Sequence, residues 1–76
     1  MAETDRNRAY AMAEGAWTTF GHSSEPQADF AARIAEIGAQ EGVSAAAEAI
    51  AADCRRNGLQ MSAKRVLKGF AWQQKR

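Results

Sequence analysis

Apolar residues recur at helical spacing along this chain, and breaks at Gly, Ser and Pro divide the pattern into four segments. The first covers residues 4–20, where Tyr10, Ala13 and Trp17 share a face with Phe20 at its edge. Thr4 stands as an N-cap with Asp5 in the first turn, and Phe20-Gly21 reads as the stop. Gly15 weakens the interior and marks close helix packing. The second segment covers residues 25–40, with Phe30, Ile34 and Ile37 on one face and Ala31 and Gly38 beside them. Ser24-Glu25-Pro26-Gln27 has the form of a capping box, with Pro26 in the first turn. Asp29 and Arg33 are spaced as an i,i+4 pair.

Gly42 takes the turn into a third segment, residues 45–57, which Ser44 caps. Its buried stripe is Ala46, Ala47, Ile50 and Cys54, small enough to let neighbouring backbones approach. Asn57-Gly58 ends it, Leu59 and Met61 fill the corner, and Ser62 caps the fourth segment, residues 62–72. There Ala63, Val66, Leu67 and Phe70 form one face, and Lys64, Arg65, Lys68, Trp72 and Lys75 fall on the other. The pattern predicts an all-α, compact four-helix domain with a C-terminal helix-turn-helix.

Charge changes this picture. Residues 54–76 hold seven of the ten Lys and Arg and no acid, whereas residues 1–53 hold all nine acids and three Arg. The formal net charge of +1 therefore conceals an acidic body with a basic end. Such an end calls for an anionic partner.

Composition mostly excludes. Seventy-six residues with three Phe, two Trp and one Tyr make one small domain, whose core supplies about 3–5 kcal/mol. One Cys and one His form neither an internal disulfide nor a structural zinc site, so the chain reads as reduced, cytoplasmic and free of metal or cofactor. No apolar run approaches the ~18 residues that span a bilayer, and no signal-peptide pattern opens the chain. His22 beside two Ser has no carboxylate arranged to orient it, and no Gly-rich phosphate loop occurs, so an enzyme is not expected. Cys54 lies on the apolar stripe and reads as a small core residue, although Arg55 and Arg56 stand next to it.

Two registers resemble helix-turn-helix segments. Residues 37–44, Ile-Gly-Ala-Gln-Glu-Gly-Val-Ser, resemble the turn of repressor-type proteins. Glu41 and Glu48 stand where that pattern takes apolar residues, and the helix that follows begins Ser-Ala-Ala-Ala-Glu without a base-reading side chain, so this register is rejected. Residues 50–67 combine an Arg-rich helix end, Gly58, Leu59, Met61 and a Ser-capped helix bearing Lys-Arg-Val. This stretch resembles the helix-turn-helix of insertion-sequence transposases and related regulators.

The resemblance implies a small DNA-binding transcriptional regulator. Arg55 and Arg56 would be backbone contacts, Ser62, Lys64, Arg65 and Lys68 would lie in the leading half of the reading helix, and Lys75 would follow. A two-fold DNA site and a small core would both favour a homodimer, though no heptad specifies one. The other reading is a small helical adaptor or inhibitor, of the size of phage-encoded modulators of host machinery. It would bind a larger protein through Trp72, Tyr10 or Trp17 as aromatic anchors. For Tyr10 and Trp17 the core is the competing place.

Overall fold

The structure, a computed structural model, describes the backbone of residues 2–20 and 25–74 and the side chains of residues 4–19 and 25–69. Four helices form: α1 (Ala2–Phe20), α2 (Gln27–Glu41), α3 (Val43–Arg56) and α4 (Ala63–Gln74). No strand occurs among the described residues, so the expected all-α, four-helix architecture is what folds. The radius of gyration is 11.0 Å, close to the ~11 Å of a fully packed chain of this length. Helices adjacent in sequence pack together, α1 most extensively on α2, and α1 meets α4 least.

Alanine sets the spacing between helices. Among the described residues Phe30, Ile34, Ile50 and Cys54 are the largest fully buried side chains, and Ala9, Ala13, Ala31, Ala46, Ala47 and Ala51 surround them without exposure. Such a core is filled by bringing backbones together. The closest approach is at Gly38, where a Cβ would stand 2.5 Å from Ala9 Cβ and 3.0 Å from the Asp5 carbonyl oxygen.

That closeness corrects the expected face of α1. The buried stripe is Ala9, Met12, Ala13 and Ala16, not Tyr10, Ala13 and Trp17. Tyr10 is 37% exposed and Trp17 packs on the rim of the core. Each lies roughly 90–110° around the helix from the stripe's centre at ~100° per residue. Large rings facing α2 would hold the two helices too far apart for the Ala9–Gly38 contact. On α2 the stripe is Phe30, Ala31, Ile34, Ala35 and Gly38, with Ile37 only partly buried beside it.

Helix entries also depart from expectation. Pro26 is itself the N-cap residue of α2 and no side chain caps the helix. Gln27 does not close a box. Its Nε2 donates to Thr18 Oγ1 at 3.0 Å and the Glu14 carbonyl at 3.3 Å, fastening α2 to α1. Trp17 Nε1 donates to the Glu25 carbonyl at 2.9 Å beside them. Arg33 turns from Asp29 to Glu25, 3.0 Å away, and its guanidinium also lies over the Phe30 ring, 5.3 Å from its centroid. Arg6 pairs with Glu36 across α1 and α2. Ser24 and His22 lie outside the described residues.

Gly42 joins α2 directly to α3 at φ 98°, ψ 164°, a region open essentially to glycine alone. It serves as N-cap, so Ser44 falls inside the first turn of α3 instead of capping it. The far end of α3 follows the sequence closely. Gly58 has φ 88°, its N–H donates to Arg55 O at 3.1 Å, and Leu59 N–H donates to Cys54 O at 3.0 Å, the paired bonds of a Schellman cap. Ser62 Oγ then accepts the Arg65 N–H at 3.3 Å and opens α4 as its N-cap.

Candidate nucleic-acid interface

The basic segment consists of the last turn of α3, the connection 57–62 and α4. Val66 is the one described α4 side chain that is buried, at 7% exposure, and Leu67, Ala63 and Met61 pack partly on the core. This inward set turns Lys64, Arg65 and Lys68 to the outside, where all three are exposed. No acidic residue lies on α4 or in the connection.

The cations divide by what holds them. Arg56 Nη2 donates to Asp53 Oδ1 at 2.7 Å, one helical turn back. Arg33 Nη2, on α2, lies 3.9 Å from the same oxygen. Asp53, at 7% exposure, thus lies between two guanidinium groups and ties α2 to the end of α3. Arg55 forks, with Nη1 donating to the Met61 carbonyl at 2.8 Å and Nη2 to Glu48 Oε2 at 3.2 Å. Arg65 Nη1 donates to the Gln60 carbonyl at 3.4 Å. Lys64 and Lys68 make no hydrogen bond or ion pair among the described residues.

Of the residues picked out from sequence, Arg55, Arg56, Ser62, Lys64, Arg65 and Lys68 thus fall along one continuous stretch of chain. Ser62 has its side-chain hydroxyl engaged in capping α4, and both Arg55 and Arg56 are already engaged within the protein. Lys75 and the Trp72 side chain lie outside the described residues. Tyr10 is on α1, and Trp17 has its indole N–H committed to Glu25. The partners Asp53, Glu48 and Arg33 escape sequence reasoning. Asp53 and Arg56 are spaced i,i+3, which is a readable signal. Arg33 reaches Asp53 only through packing of α2 on α3.

Cys54 is fully buried. Burial pushes its thiol pKa above the ordinary value, the Asp53 charge adds to this, and Arg55 opposes it. The neighbouring arginines therefore do not activate the thiol. Because the folded pKa is raised, this contribution to stability is intact below the ordinary value of 9.0 and is lost as pH rises past it. Urea melts at pH 8 and pH 10 should show a loss at the higher pH that Cys54→Ala diminishes. Equal losses in both proteins would contradict this.

No group of three or more His, Cys, Asp or Glu is arranged to hold a metal ion among the described residues. No helix among them is long and apolar enough to cross a membrane. No family model, curated protein or solved structure matches the chain.

Proposed function

We propose that this protein is a small DNA-binding regulator in which α3 and α4 act as a helix-turn-helix and α4 is the helix laid against the duplex. The observation that carries this reading is the outward face of α4, where Lys64 and Lys68 are exposed and uncommitted beside Arg65 with no acid on the helix. Phosphates attract such a face, and a capped helix N-terminus adds the positive end of its dipole. The Schellman cap at Gly58 and the Ser62 cap give the two helices defined ends. The connection 57–62 is longer than the roughly three- to four-residue turn of the usual motif.

The reading sets a salt dependence. Two lysine contacts give a slope of about −1.8 in log K against log salt, and each further contact adds about −0.9. Five contacts, counting every basic residue of the segment, would require Arg55 and Arg56 to leave their present partners. Lys64→Gln with Lys68→Gln should lower the slope by about 1.8 and leave the helical circular-dichroism signal unchanged, since neither lysine contributes a contact to the fold. An unchanged slope would remove α4 from the interface.

A second reading, an adaptor or inhibitor docking on a larger protein, is supported by Tyr10, a large aromatic left 37% exposed on α1. It requires that Tyr10→Ala abolish capture of that partner while DNA affinity is absent.

A further inference from the structure

The connection between α3 and α4 is gripped from both sides. Arg55, in the last turn of α3, donates to the Met61 carbonyl at 2.8 Å. Arg65, in the first turn of α4, donates to the carbonyl of the preceding residue, Gln60, at 3.4 Å. The other arm of the Arg55 guanidinium is held by Glu48 at 3.2 Å, two turns earlier on α3. These groups are exposed, 47% for Arg55 and 61% for Glu48, so the ion pair itself contributes little to global stability. Its place gives it another consequence. Among the described residues α4 has one buried side chain, Val66, and packs on α3 far more than on α1. The first half of α4, where Val66 is buried and Ala63 and Leu67 are partly buried, is placed through the chain entering it.

From these contacts we infer that Arg55 is a positioning residue: its guanidinium fork fastens the connection to α3 and sets the direction of α4, and it does not contact phosphate. This assigns Arg55 a role different from that of Lys64 and Lys68, and the part that concerns DNA rests on the functional reading above. A fork is needed because one group must reach a carbonyl and a carboxylate at once. Lysine supplies the charge without that geometry.

The test compares the intact protein with Arg55→Gln and Arg55→Lys. Amide hydrogen exchange is read at Leu59, Arg65 and Val66, and fluorescence anisotropy is read on a generic duplex DNA across a salt series. Both variants should raise exchange at these three amides about three- to tenfold, the loss of one net hydrogen bond. The amides of α2 and the first half of α3 should be unchanged, which separates this role from general destabilisation. Both variants should weaken DNA binding by a similar factor at an unchanged salt slope. Exchange that stays at the intact protein's level in both variants overturns the proposal. So does a slope lowered by about 0.9 in Arg55→Gln and restored in Arg55→Lys, the signature of a phosphate contact. If the intact protein binds no duplex, the DNA reading falls, and the exchange comparison alone decides whether Arg55 fastens the connection.

Discussion

Phe30→Ala should leave the protein largely unfolded at 25 °C. Among the described residues Phe30 is the largest fully buried side chain, and it lies where α2 meets the core, with the Arg33 guanidinium over its ring. Truncating a buried Phe to Ala costs about 3–5 kcal/mol, through lost transfer energy and the cavity left behind. A core of this size supplies about the same amount in total. The helices cannot collapse to refill the space, because their separation is already set by Ala–Ala and Ala–Gly contacts. Far-UV circular dichroism should therefore show little of the native helical signal and no cooperative melt. A melting temperature within a few degrees of the parent would mean that Phe30 does not organise the core.

The second large effect is a pair with opposite signs. Gly38→Ala and Gly69→Ala are the same substitution in two helices, and each gains up to ~1 kcal/mol of helix propensity. At Gly38 the new Cβ would lie 2.5 Å from Ala9 Cβ and 3.0 Å from the Asp5 carbonyl, neither at the end of a flexible side chain. Helix α1 must shift away, and overpacking of this kind costs about 1–3 kcal/mol. At Gly69 nothing stands within 4 Å of the new methyl. Gly38→Ala, with the propensity gain set against the overpacking cost, should lower the melting temperature by up to about 16 °C, and Gly69→Ala should raise it by about 4–8 °C, at roughly 4–8 °C per kcal/mol for a domain this small. Shifts of the same sign would refute the close approach of α1 to α2.

The contrast also explains which features could be read from the chain. The α3–α4 connection was legible because its chemistry is local: Asn57-Gly58 ends a helix and Ser62 begins one, whatever surrounds them. The core stripe of α3 was legible because Ile50 and Cys54 are its only large or sulfur-bearing apolar residues. The face of α1 was misread by a rotation of one residue. Aromatic residues dominate any search for a core face, yet here α1 turns Ala9, Met12, Ala13 and Ala16 inward and leaves Tyr10 outside. What decides this is Gly38, more than twenty residues away, which admits a methyl and nothing larger. Gln27 misled for a similar reason, since the partners on α1 outcompete a local box only once the two helices are side by side.

At the candidate interface, charge was legible and its availability was not. Counting Lys and Arg from residue 54 onward identifies the basic segment but treats its members alike. Packing separates them, because Asp53 comes from the same helix as Arg56, Glu48 is one more turn back, and the Met61 carbonyl is presented by the connection. Three arginines are consequently engaged in holding the fold, and Lys64 and Lys68 are exposed without an ion pair among the described residues.

The most direct test of DNA binding through α4 is fluorescence anisotropy of an unrelated labelled duplex, titrated with the intact protein from about 50 to 200 mM salt. Dissociation constants of about 10⁻⁴–10⁻⁶ M are expected, with log K falling against log salt at a slope of at least about 1.8. No binding at the lowest salt, or binding indifferent to salt, would contradict this reading and leave the α4 face to a protein partner.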